Sequence, residues 1–209
     1  MTKRTKSSRR WLAEHESDVF VQRARASGYR SRAVYKLEEI QRKDRILRPG
    51  MVIVDLGAAP GGWSQYIASV LKGKGRVIAS DILSMEEVPG VEFLEGDFST
   101  DEVFAELMRR LNGIGVDVVL SDMAPNMMGI ADVDHARSMH LVEQAADFAC
   151  KTLKPGGTFL TKVFQGRDFQ PLMRELRTRF GSVAVRKPDA SRARSAELYV
   201  LARDFKGDL

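Results

Sequence analysis

The sequence predicts an α/β fold of the Rossmann-like type, a mostly parallel sheet covered by helices on both faces. Two patterns carry that prediction. Short β-rich apolar runs alternate with helix-length segments from residue 51 onward, and a glycine-rich loop stands where the first strand hands over to a helix. Length supports it: 209 residues can bury one sizeable core and are too few for two large ones.

Taken in order, Ser17 to Ala26 and Ser31 to Lys43 read as helices. In the second, Ser31 is the expected N-cap and Val34, Leu37 and Ile40 form an apolar stripe. Pro49-Gly50 marks a turn. Met51 to Leu56, Arg76 to Asp81, Val91 to Glu95, Val116 to Asp122 and Gly157 to Phe164 are strand candidates. Helices near Trp63 to Leu71, Asp101 to Leu111 and Asp134 to Leu153 lie between them, so neighbouring strands should run parallel. After a helix near Phe169 to Arg179, Ser182 to Lys187 and Glu197 to Arg203 have no helix-sized segment between them, which predicts an antiparallel C-terminal end to a seven-stranded sheet. The expected division is a basic arm and first helix over 1–30 and a single domain over 31–209.

Composition narrows the function classes. The chain is 44% hydrophobic and 29% charged, as a soluble globular protein is, and no apolar run approaches the roughly 18 residues of a membrane span. The basic start is not followed by an apolar signal core, so a cytoplasmic protein without a membrane partner is expected. Cys150 is the single cysteine, which excludes an intramolecular disulfide, and Ala149 and Leu153 beside it suggest a buried helix position. The chain is expected to act as a monomer.

The net charge of +5 is unevenly placed: residues 1–32 hold nine Lys or Arg against three acids. Arg186, Lys187, Arg192 and Arg194 form a second basic group. Two such segments flanking one cleft favour a nucleic-acid partner. A disordered solubilising arm is the alternative for the first.

The loop Asp55-Leu-Gly-Ala-Ala-Pro-Gly-Gly-Trp63 lets the backbone approach a ligand closely. A dinucleotide fold would need G-x-G-x-x-G, whereas Gly57, Gly61 and Gly62 have another spacing and Pro60 stiffens the turn. Asp81 ends the second strand, where it can accept from ribose hydroxyls, and Asp97 follows the third, where it can meet an adenine amino group. With Asp55, these acids describe a nucleoside pocket without phosphate. Each alone could equally be a cap or turn residue.

Asp122 ends the fourth strand, and Lys162 stands in the fifth among Leu160, Val163 and Phe164. A lysine in such a strand either snorkels at an edge or faces a pocket. Glu197 opens the last strand and Lys36 sits on the early helix. His15, His135 and His140 lack metal-ligand spacing, and no metal is expected.

Together, Lys36, Asp122, Lys162 and Glu197 resemble the Lys-Asp-Lys-Glu tetrad of RNA 2′-O-ribose methyltransferases, and the chain resembles the FtsJ (RrmJ) family. The likeness runs through SRAVYKLEEI, DLGAAPGGWSQY, LSDMAPN, KPGGTFLTKVFQG and RARSAELYVLAR, nearly everything but the basic arm. It implies a class I methyltransferase fold, with Gly61, Trp63, Asp81, Asp97 and Asp122 contacting S-adenosyl-L-methionine and Lys36, Asp122, Lys162 and Glu197 forming the catalytic group. It also implies the partners and the substrate: ribosomal RNA in the assembled large ribosomal subunit, methylated at a uridine of the 23S A-loop. Lys162 is then the candidate base or oxygen orienter, and the sequence leaves both roles open. A methyltransferase of proteins or small molecules would have no need of the two lysines. A non-catalytic RNA-binding factor on the same fold and a nicotinamide oxidoreductase are the other readings.

Overall fold

The computed structural model describes residues 18–191 and 195–207. The basic arm, with Arg9, Arg10 and Trp11, lies outside them, as do Arg192 and Arg194. Helix α1 (Val19–Ala26) starts at Asp18, whose carboxylate caps the Phe20 amide at 3.0 Å. Helix α2 spans Val34–Asp44. The Ser31 hydroxyl accepts from the Ala33 amide at 3.1 Å and so holds the turn leading into α2, with Ala33 at the cap position itself.

Seven strands follow: β1 (Val52–Leu56), β2 (Arg76–Asp81), β3 (Glu92–Glu95), β4 (Val116–Ser121), β5 (Leu153–Phe164), β6 (Phe180–Arg186) and β7 (Glu197–Phe205). They form one sheet in the order β3-β2-β1-β4-β5-β7-β6. Helices α3 (Gly62–Leu71), α4 (Asp101–Leu111), α5 (Ala131–Thr152) and α6 (Phe169–Arg179) connect them. The first five strands in that order are parallel, and β7 runs antiparallel to both β5 and β6. The chain thus adds its last strand inside the sheet, where Tyr199 to Ala202 are buried, and leaves β6 at the edge.

Strand alternation divides the core between two faces. Ile53, Val77, Leu120 and Leu201 pack under α2 and α3 with Leu37, Trp63 and Ile67. Val54, Ile78, Val119 and Val200 pack under α4, α5 and α6 with Leu107, Phe148 and Leu176. Full burial of such a side chain is worth about 1.5–3 kcal/mol, so both faces drive the strand register. Cys150 is half-buried against the second face.

Several boundaries depart from the sequence reading, those of β5 and α5 among them. Strand β5 begins at Leu153, four residues before Gly157, because Leu153 pairs with Val116 before a register irregularity leads to Thr158 opposite Val118. Helix α5 begins at Ala131, three residues before Asp134.

Candidate active site

A cleft of about 570 Å³ opens at the C-terminal ends of β1, β2 and β4, the position at which open α/β sheets place ligands and a size suited to a small molecule. The glycine loop makes its floor. Gly57 has φ +77°, and a Cβ there would come within 2.8 Å of the Met123 backbone, so only glycine fits. The Gly57 and Ala58 amides both donate to the Ser80 carbonyl, at 2.8 and 3.1 Å. These bonds tie the loop to β2 and keep the cleft open.

Gly61 caps α3 at φ +107°, and a Cβ there would meet Arg30 and the Met85 sulfur, each at 2.9 Å. Arg30 covers this turn by donating to the carbonyls of Pro60, Glu86 and Glu87. Trp63 stands in the first turn of α3, but its ring is buried in the core and its Nε1 donates to the Ala33 carbonyl at 2.8 Å. Neither side of that ring lines the cleft.

The acids take different places. Asp81, Asp97 and Asp122 line the cleft. Asp55 does not: it is fully buried beneath α3, where Ser64 donates to Oδ2 at 2.6 Å and Oδ1 has no hydrogen-bond partner among the described residues. Burial pushes its carboxyl up to about 7, the Ser64 bond opposes this, and Asp122 and Asp81 add to it. Asp81 accepts from the Ala59 amide and the Leu83 amide, both at 2.9 Å, so it braces the glycine loop as well as lining the cleft. Asp97 Oδ1 accepts from the Ser99 hydroxyl at 2.7 Å and amide at 2.9 Å, which holds that carboxyl below its ordinary range. Both residues therefore bond within a turn and line the cleft as well.

Asp122 and the three remaining residues meet beside this cleft as two ion pairs. Lys162 Nζ lies 3.2 Å from Asp122 Oδ1 and also donates to the Asp122 carbonyl. Lys36 Nζ lies 2.7 Å from Glu197 Oε1. Register explains the meeting: β5 and β7 place Lys162 opposite Tyr199 and Phe164 opposite Glu197, while the Asp122 amide extends β4 by donating to the Leu56 carbonyl at 3.0 Å. Lys162 is 8% exposed, so its ammonium depends on these partners in place of water.

Two further residues join the pairs. Tyr199 donates to Asp122 Oδ1 at 2.7 Å, packs against Trp63, and carries Lys36 Nζ 5.7 Å from its ring centre. Burial, Asp122 and Glu197 push its phenol well above the ordinary value, so it remains a donor. Ser191 donates to Glu197 Oε1 at 2.8 Å. The sequence reading missed both. Spacing could have revealed Tyr199, which is two residues from Glu197 and hence on the same face of β7.

Residues 29–205 match the family described as FtsJ-like methyltransferase. A relative named ribosomal RNA large subunit methyltransferase E from Dichelobacter nodosus is 61% identical over 203 residues, covering 97% of each chain. One of the same name from Azoarcus is 58% identical, covering 98% of this chain and all of its own. A solved structure from Plasmodium falciparum, carrying the name ribosomal RNA methyltransferase, superposes with a TM-score of 0.78 at 32% identity, over 86% of this chain and all of that one. With nearly the whole fold inside the match, the chain belongs to the FtsJ-like methyltransferase family.

Proposed function

We propose that this protein methylates ribosomal RNA of the large subunit, transferring a methyl group from S-adenosyl-L-methionine to a ribose 2′-hydroxyl. The observation that carries this reading is the joined group of Lys162, Asp122 and Tyr199 with Lys36 and Glu197, which reaches the cleft through Asp122. The names of the relatives support the RNA class. The leading substrate is a uridine of the 23S A-loop in the assembled subunit, and the cytoplasm is the expected compartment.

The cleft suits such a methyl donor. Its floor requires glycine at residue 57, and Asp81, Asp97 and Asp122 supply carboxylate acceptors for a cationic nucleoside. S-adenosyl-L-methionine supplies an electrophilic methyl carbon on a sulfonium. Asp81 and Asp97 would hold its ribose hydroxyls and adenine amino group. The protein must then align a ribose oxygen with that carbon and provide for the hydroxyl proton as the carbon–oxygen bond forms and the carbon–sulfur bond breaks. Positioning supplies much of the rate in such in-line displacements. In this reading Lys162 would hold the attacking oxygen or take its proton, Asp122 would fix Lys162 with Tyr199 bonded to the same carboxylate oxygen, and Lys36 pairs with Glu197 beside the Tyr199 ring.

The test is methyl transfer from tritiated S-adenosyl-L-methionine to large subunits isolated from cells lacking this protein, with nucleosides mapped by mass spectrometry. Label in a 2′-O-methyluridine of the A-loop is the expected result. Label in a base, or none in RNA, would overturn the proposal.

A further inference from the structure

The cations around the catalytic group are nearly all committed to internal partners. Lys162 and Lys36 pair with Asp122 and Glu197, Arg30 is held by three carbonyls, Arg32 by Asp18 and the Ala190 carbonyl, and Lys187 by the carbonyls of Ser195 and Glu197. Each of these bonds satisfies the donors that a phosphate would need. Arg137 differs. It is exposed and lines the cleft beside Asp122 and Asn126, and its side chain has no hydrogen bond or ion pair among the described residues. His140 follows one turn later on α5, also exposed, also lining the cleft, and its side chain is unpaired among the described residues.

This lip is anchored. Asp134 is buried at the start of α5 and accepts from the Met128 amide at 2.7 Å and the Gly129 amide at 2.9 Å. The segment from Asp122 round to α5 is therefore tied to the helix one turn before Arg137, and the guanidinium projects from a fixed base. A free guanidinium at the rim of a cleft rich in carboxylates repels cations and attracts an anion that approaches from outside. Its planar donor fork matches a phosphate.

Resting on the proposed RNA substrate, we propose that Arg137, with His140 beside it, binds a backbone phosphate next to the target ribose, so that the RNA strand crosses the cleft over the α5 lip. Ion-pair contacts to phosphate release counterions and leave a signature in salt dependence. The anion could instead be the carboxylate of the methyl donor, and the two readings separate by experiment.

Binding of full-length protein to undermethylated large subunits is to be measured from low to moderate salt for wild type, Arg137→Gln and Arg137→Lys, alongside calorimetry with S-adenosyl-L-methionine. Loss of one phosphate contact should reduce the magnitude of the log-log slope by about 0.7 to 0.9 in Arg137→Gln. The KM for subunits should rise about tenfold with a smaller change in kcat. Arg137→Lys should restore the slope, and donor affinity should stay at the wild-type value in both. A wild-type slope in Arg137→Gln would overturn the assignment, as would weakened donor binding with unaltered subunit binding. If the wild type bound subunits but transferred no methyl group, the proposed reaction would fail while the slopes still decided the role of Arg137.

Discussion

Tyr199 donates its hydroxyl to the same Asp122 oxygen that stands 3.2 Å from the Lys162 ammonium. One carboxylate oxygen thus serves a phenol from β7 and a lysine from β5, and the phenol fixes where the lysine finds its partner. Tyr199→Phe keeps the ring that packs on Trp63 and removes only this bond. A hydrogen bond to a charged acceptor is worth about 1.5–3 kcal/mol, so single-turnover methyl transfer should slow by about ten- to a hundredfold with donor affinity retained. Rapid-quench assays check this, and an undiminished rate would mean that Asp122 needs no support from β7.

Asp81 and Asp97 should not respond alike to truncation. Asp81 anchors the Ala59 and Leu83 amides, whereas Asp97 holds only its own Ser99 turn. Under the proposed function Asp97→Ala should weaken S-adenosyl-L-methionine binding about tenfold, and Asp81→Ala about a hundredfold, because it would lose the proposed ligand contact and release the glycine loop together. Asp81→Asn, which retains an acceptor, should fall between. Titration calorimetry orders the three, and equal losses for both alanine variants would remove the bracing role from Asp81.

The sheet was legible in the sequence because its strands are short, apolar and bounded by turns. β2 and α4 fall where their residues predicted. Lys154-Pro-Gly-Gly157 reads locally as a turn, yet Leu153 opens β5, since pairing with β4 resumes across an irregularity that only the tertiary fold dictates. The site divides in the same way. Lys36, Asp122, Lys162 and Glu197 come together as chemistry demands, but which lysine pairs with which acid follows from the β5–β7 register, a long-range property. Asp55 and Trp63 lie in the glycine-loop segment and still turn their side chains into the core, because strand alternation and the first turn of α3 set their direction. Nothing in a linear pattern distinguishes an acid facing a cleft from one facing the helix above it.

Asp55 makes stability depend on pH. Its carboxyl is pushed from 3.8 to about 7 in the folded protein, so the folded chain keeps a proton that the unfolded chain releases. Below 3.8 both states are protonated and burial carries no ionisation cost. Stability then declines as pH rises toward 7 and levels off above it, by up to about 4 kcal/mol. Asp55→Asn retains an acceptor for Ser64 and has no proton to lose. It should raise stability more at pH 8 than at pH 5 in urea unfolding. An equal gain at the two pH values would show that Asp55 does not titrate in this range.

Lys162 offers the sharpest separation of roles. Its Nζ is buried, bonded to the Asp122 carboxylate and carbonyl, and set beside a cleft-lining residue. Lys162→Ala leaves the Asp122 carboxylate with Tyr199 as its remaining partner among the described residues and, under the proposed function, would remove the group that handles the attacking oxygen. Proton transfer by a positioned side chain is worth about a hundred- to ten-thousandfold, so single-turnover rates should fall on that scale while donor and subunit binding persist. Lys162→Arg then decides between the roles, since a guanidinium keeps the charge and cannot give up a proton at working pH. If Lys162 removes the hydroxyl proton, arginine should be nearly as slow as alanine. If Lys162 holds the oxygen through its charge, arginine should recover part of the rate, limited by its larger head in a site that Tyr199 and Asp122 already enclose. Wild-type rates in Lys162→Ala, with label entering the same ribose, would take Lys162 out of the reaction altogether.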